Sequence, residues 1–212
     1  MSTIPTTEII ILDTSEEFRK DVVSIISPAF DLVSKVDGFQ APVYTGIQIE
    51  NPTTGYIILN WESMAHHQAL MDSPSYGSVL EALKPAFGGP FKNYHVIFNE
   101  HPIALQQPVT HVLLLTLKDP SHRAEVFDIL SNITVLSKKM LVFGPTLENE
   151  NQIVLVGGWA SVEVDVDIIM ILHVLMLLWT SRLTWRGLPL SRKRWSNGYS
   201  LLLPRTIRSM LL

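Results

Sequence analysis

The sequence predicts a mixed α+β chain built from two β-α-β-β-α-β units in tandem, with the second unit incomplete. Three observations predict this. The hairpin stretch around Trp61 recurs 98 residues later, so that Gly46, Glu50, Asn51, Trp61 and Ser63 fall without a gap on Gly144, Glu148, Asn149, Trp159 and Ser161. A long-period repeat is one fold unit written twice. Strand-like and helix-like apolar spacing alternate in the same order ahead of each Trp. After Ser161 that order is lost.

In the first unit, Glu8 to Leu12 reads as a short buried strand. Thr14 followed by Glu17 gives a capping-box start for a helix. That helix aligns Phe18, Val22, Ile25, Ile26, Ala29 and Val33, with Pro28 expected to kink or restart it and Asp37-Gly38 to end it. Two strands follow around the polar turn Asn51 to Gly55, with Ile47 and Ile49 alternating against Gln48 and Glu50. Ser63 is placed to cap a helix that Ser73-Pro74 interrupts, and Tyr76, Val79, Leu80 and Leu83 resume it. Phe91 to Phe98 is the fourth strand. The order is the ferredoxin-like split motif, in which an antiparallel sheet carries both helices on one face.

The second unit begins with a strand at Thr110 to Leu117 and a helix start at Asp119-Pro120, followed by the repeated hairpin. Beyond it the sequence offers no second helix of the expected type and no fourth strand. Ile168 to Trp179 is an apolar run broken only by His173, followed by the basic cluster Arg192 to Arg194. The expected division is therefore 1–101, a linker at 102–108, a partial repeat at 109–161 and an aberrant tail at 162–212.

Charge divides at the same place. Residues 1–161 hold 9 Lys and Arg against 17 Asp and Glu, a balance of −8, whereas residues 162–212 hold 7 against 3, a balance of +4. A tail read from a retained intron or a shifted frame would lose repeat and acids together, and the spliced transcript tests that. The acidic body argues against nucleic-acid binding, which needs Lys and Arg to neutralise phosphates. The absence of cysteine excludes disulfides, thiolate metal sites and a cysteine nucleophile. The N-terminus lacks a basic region before an apolar run, so a cytoplasmic protein is expected. The twelve-residue run is shorter than the ~20 residues of a membrane span, which leaves a tail anchor as a minor alternative.

His66 and His67 carry the chemistry that the sequence offers. They open a helix, where the positive end of the dipole favours the neutral imidazole that can act as a base. The plainer reading makes one of them solvent-exposed and the other a packing or capping group. Trp61 recurs as Trp159, which suits a sealing role at the helix–sheet junction. Asn60, Tyr44, Tyr76 and His95 are further candidate pocket residues, as are Tyr56 and Tyr94. Tyr94 and His95 are neighbours on a strand and must face opposite sides. Adjacent His66 and His67 cannot both hold one ion from a helix, so no metal is expected.

The element order, together with Trp61, Ser63 and His67 in the pattern W-x-S-x-x-x-H and the following Ser73, Pro74 and Tyr76, resembles the dimeric α/β-barrel superfamily. Its closest branch is the antibiotic-biosynthesis-monooxygenase type, in tandem fungal form. The resemblance implies two sheets packed face to face, formed by an intramolecular pseudo-dimer or a homodimer, with a cavity between each sheet and its own helices. It also implies a cofactor-independent monooxygenase of secondary metabolism. His67 or His66 would deprotonate an aromatic or polyketide-like substrate, which Asn60, Trp61, Tyr44, Tyr76 and His95 would bind. The haem-degrading branch places an Asn on the first strand, and Glu8 to Leu12 has none. The alternatives are a polyketide cyclase-like enzyme and a non-catalytic or degenerate binding member.

Overall fold

The computed structural model describes residues 4–161 and the backbone of a short strand at Leu183–Trp185. The first unit runs β1 (Thr6–Thr14), α1 (Glu16–Lys20), α2 (Val22–Val33), β2 (Phe39–Ile47), β3 (Thr54–Trp61), α3 (Met64–Met71), α4 (Tyr76–Leu83) and β4 (Phe87–Ile97). The second runs β5 (Val109–Leu117), α5 (Arg123–Leu136), β6 (Leu141–Pro145), β7 (Gln152–Trp159) and β8 (Leu183–Trp185). Each unit forms a four-stranded antiparallel sheet, ordered β2-β3-β1-β4 and β6-β7-β5-β8. The two occurrences of the repeat therefore build equivalent sheets, with Trp61 opposite Thr6 and Trp159 opposite Val109.

Alternation along β1 sorts the first sheet into two faces. Ile10 and Leu12 join Ile57, Leu59, Phe18, Val33, Leu70 and Val79 beneath the helices. Ile9 joins Ile58 and Val96 on the other face, where they meet Val142, Val154 and Val156 of the second sheet. The sheets thus pack face to face through a shared apolar layer. A third cluster, around Leu115, Leu130, Phe143 and Leu155, fixes α5 to the outer face of the second sheet. The units also meet edge to edge beyond β4. Asn99 N–H donates to the Phe143 carbonyl and Leu147 N–H to the His95 carbonyl, both at 2.8 Å.

Several local expectations shift. The helix break falls at Asp21, whose carboxylate accepts from Ser24 N–H, and Pro28 lies inside an unbroken α2. The first cap is Ser15 rather than Thr14, which still belongs to β1. Ile49 lies past the end of β2 and is exposed, so it does not alternate inward. Ala104 and Leu105 of the 102–108 connector are buried in the inter-sheet layer. Gly158 stands against the connector because a Cβ there would collide with the Ala104 backbone.

The second sheet has a fourth strand that the sequence did not show. Leu183–Trp185 pairs antiparallel with Leu115–Leu117, the edge that β4 occupies in the first sheet. Three residues are too few to give a readable strand signal. The remaining tail features, Ile168 to Trp179 and Arg192 to Arg194, lie outside the described residues. Among the described residues no helix is long and apolar enough to cross a membrane.

Candidate functional site

A buried polar cluster lies on the helix side of the first sheet, at the end where β3 passes into α3. Glu8 begins the apolar run of β1, and its register partners are Leu59 and His95. Residues opposite each other in a ladder share a face. His95 therefore stands beside Glu8, while Tyr94 points into the inter-sheet layer with Ile9. Trp61 lies two residues beyond Leu59 and shares that face. The tight passage into α3 at Ser63 then brings His67 over the sheet.

The contacts form a chain. Trp61 Nε1 donates to Glu8 Oε2 at 3.0 Å, and Asn93 Nδ2 donates to Glu8 Oε1 at 2.9 Å. His67 Nε2 lies 3.4 Å from Glu8 Oε2. On the other side of its ring, His67 Nδ1 lies 2.8 Å from His95 Nε2. His95 Nδ1 lies 2.5 Å from Glu148 Oε1, and the His95 backbone N–H also donates to that carboxylate. Glu148 comes from the β6–β7 turn of the second unit. The indole of Trp61 stacks on His67 at 4.8 Å between centroids and 13° between planes.

Burial sets the charge state. His67 is 2% exposed, and desolvation holds its pKa below the ordinary imidazole value. Glu8 opposes that shift, and His95 reinforces it. Burial is thus the leading cause of the neutral state that the sequence reading assigned to the helix dipole. The Tyr76 phenol is pushed up by burial and then by the charge of Glu8, so it stays protonated at neutral pH.

His67, Trp61 and His95 are brought together, with Tyr76 near enough to feel Glu8. His66 is not part of the cluster. Its ring packs across Gly38, where φ is 76° and a Cβ would collide with the imidazole. His66 Nδ1 shares a hydrogen bond with Ser63 Oγ at 2.9 Å, in place of the expected backbone cap. Asn60 and Tyr44 lie on the opposite face. Asn60 Oδ1 accepts from Thr7 Oγ1 at 2.8 Å, and Tyr44 packs with the inter-sheet layer.

An apolar cavity of about 30 Å³ lies on the same helix-covered face. Ile10, Leu59, Val43, Phe30 and Leu83 are among its lining residues. No histidine or tyrosine lines it. Trp61, at 1% exposure, and Leu70 are both buried in the apolar cluster on this face.

Sequence reasoning missed Glu8, Asn93 and Glu148. Glu8 was visible as the one acid in the apolar run Glu8 to Leu12, a position where a charge survives only with partners. Glu148 was visible in the repeat as the counterpart of Glu50. Glu8, His67 and His95 each offer a ligand atom within 4.8 Å of the others, so a three-donor set exists where none was expected. The facing nitrogens of His67 and His95 are only 2.8 Å apart, however. Two ligands on one tetrahedral zinc sit about 3.3 Å apart, given Zn–N bonds of about 2.05 Å. The present geometry is that of a hydrogen bond.

No family model matches the sequence, and no curated protein matches it. Solved structures do match. An anthrone oxidase-like protein superimposes with a TM-score of 0.56 at 10% identity, covering 76% of this chain and 75% of that one. A “putative monooxygenase” of Lactobacillus acidophilus NCFM gives 0.52 at 12% identity, covering 76% and 79%. A “putative antibiotic biosynthesis monooxygenase” of Bordetella bronchiseptica gives 0.39 at 18% identity, covering 44% and 95%. The fold is that of the first two. This chain shares their ferredoxin-like α+β architecture across a span longer than one repeat.

Proposed function

We propose that this chain is a cofactor-independent oxygenase of the antibiotic-biosynthesis-monooxygenase kind, acting on an aromatic or polyketide-like small molecule in the cytoplasm as part of secondary metabolism. The observation that carries this reading is His67: a buried, neutral imidazole held between a carboxylate and a second imidazole, on the sheet face that also bears an apolar cavity. His67 takes a proton from a phenol or an activated carbon, and Glu8 stabilises the imidazolium that forms. The substrate anion then supplies electrons to O₂. Tyr76 and Trp61 flank the substrate, and His66, Asn60 and Tyr44 fall away from it. The division at 101, 108 and 161 belongs to this reading, with the two units forming a pseudo-dimer within one chain.

Turnover requires the cavity to open. Small-molecule sites occupy roughly 300–1,000 Å³, well above the present 30 Å³. The break between α3 and α4 at Asp72–Ser75 is the place for that movement. Oxygen uptake with hydroxylated anthrones tests the proposal, and His67→Ala is expected to slow it by about 10²–10⁴-fold. Product formed equally well without oxygen would favour the cyclase-like chemistry instead. The burial of Trp61 in the apolar cluster supports a second reading, a non-catalytic member. Absence of both oxygen uptake and ligand-induced thermal stabilisation across an aromatic panel would establish it.

A further inference from the structure

We propose that Glu148, His95 and His67 form a proton relay that connects the buried base to solvent, with the outer terminus supplied by the second repeat. The inference rests on the reading of His67 as a base, and it follows from counting protons along the chain. The Glu148 carboxylate accepts from the His95 backbone N–H and lies 2.5 Å from His95 Nδ1. A carboxylate only accepts, so His95 Nδ1 carries the proton and His95 Nε2 presents a lone pair. His67 Nδ1, 2.8 Å away, must then be the donor. Neutral His67 is left with a bare Nε2 facing Glu8 Oε2 at 3.4 Å, longer than a hydrogen bond. The two short links and one long link are those of a wire with a vacant basic atom at its inner end.

Loading that atom shifts every proton by one place. A proton arrives at His67 Nε2 and completes the bond to Glu8. The Nδ1 proton of His67 passes to His95 Nε2, and the Nδ1 proton of His95 passes to Glu148. The chain gains the one proton that the substrate gives up, and Glu148 ends neutral, ready to release it to water. Glu148 is 42% exposed, whereas His67 and His95 are 3% and 9% exposed at their side chains, so the chain runs from interior to water. The charged and titratable groups facing His67 are Glu8 from β1, His95 from β4 and, through Glu8, Tyr76 from α4. His66 on its own helix faces Asp37 and Glu62 instead. The repeat built this link: Glu148 is the counterpart of exposed Glu50, and it crosses to the other unit.

The test is ¹⁵N NMR of the imidazoles in the full chain, without substrate. His95 and His67 are both expected to be protonated at Nδ1 near pH 7. In Glu148→Gln the amide keeps an acceptor but cannot take up a proton, and exchange of the His67 and His95 ring protons with water is expected to slow about tenfold or more. Glu148→Asp should restore part of that rate. Protonation of His95 at Nε2 in the wild type would overturn the relay, as would unchanged exchange in Glu148→Gln. Stoichiometric zinc(II) binding that shifts both rings would overturn it in favour of a metal site. Because no substrate is present, failure of the oxygenase reading shows separately, in oxygen uptake.

Discussion

Trp61 and Trp159 close equivalent strands of the two sheets at the same register, yet their surroundings differ. Trp61 donates to Glu8 and stacks on His67. Trp159 is also buried, and its indole N–H finds no acceptor among the described residues. Counted along the paired strands, the second unit holds His111 where the first holds Glu8, and Gly157 where the first holds Leu59. The Trp159 ring lies over Gly157. The tryptophan of the first repeat thus joins a polar chain, whereas the indole N–H of the second joins none among the described residues. Backbone architecture survives divergence because many apolar residues share its burden, whereas a polar chain is lost with a single residue.

The largest expected effect comes from breaking the first site at its centre. Glu8→Ala removes the acceptor of both Trp61 and Asn93 and the partner of His67. Unsatisfied buried donors cost about 1–3 kcal/mol each, so a loss of about 3 kcal/mol or more is expected in urea denaturation. Glu8→Gln keeps an acceptor for Trp61 and should lose less. A Glu8→Ala midpoint equal to wild type would mean that the polar chain adds nothing to the first unit.

The next effect belongs to the second unit. A Cβ on Gly157 would lie 2.8 Å from Trp159 Cζ2, and the buried ring has little room to yield. Gly157→Ala is expected to cost about 1–3 kcal/mol through overpacking. Leu59 occupies the equivalent site in the first unit without conflict, because the Trp61 ring is turned toward Glu8 and His67. If Gly157→Ala proved neutral, the difference in ring placement between the repeats would lose its physical content.

Paired tryptophan variants sharpen the comparison directly. Trp61→Phe loses both volume and a hydrogen bond to a charged acceptor, whereas Trp159→Phe loses volume alone. Hydrogen bonds to charged groups contribute about 1.5–3 kcal/mol, so Trp61→Phe should be the more destabilising by about that much. Equal midpoints would show that the Trp61–Glu8 bond contributes nothing beyond packing.

The repeat made the architecture legible, because a tryptophan, a glycine and a turn asparagine recur at fixed spacing and each marks a place in a hairpin. His67 and Trp61 were legible too, since both border the strand-to-helix passage. The links between them were not. Glu8 meets His67 across 59 positions of sequence and His95 meets Glu148 across 53, and local periodicity carries no trace of such contacts. Alternation separated Tyr94 from His95 and Asn60 from Trp61, but which of the two faces lies under the helices, and the face of Tyr44, needed the register of β1 against β3 and of β2 against β3. The strand Leu183–Trp185 escaped because three residues are too short a stretch to carry a periodic pattern.

The smallest effect is a pH dependence confined to the first unit. Burial lowers the pKa of His67 in the folded chain, with Glu8 partly opposing and His95 adding to the shift. An unfolded histidine titrates near 6.5. Below about 6.5 the unfolded chain therefore binds a proton that the folded chain refuses, and stability falls with acidification until the folded pKa is passed. Asp21 and Asp119, whose pKa values are lowered by hydrogen bonds to Ser24 and Ser121, act only in the more acidic carboxylate range. Urea midpoints compared between pH 7.5 and pH 5.5 should decline in the wild type and flatten in His67→Leu. A decline that persists in His67→Leu would move the titration to another histidine and deprive the first unit of its buried neutral base.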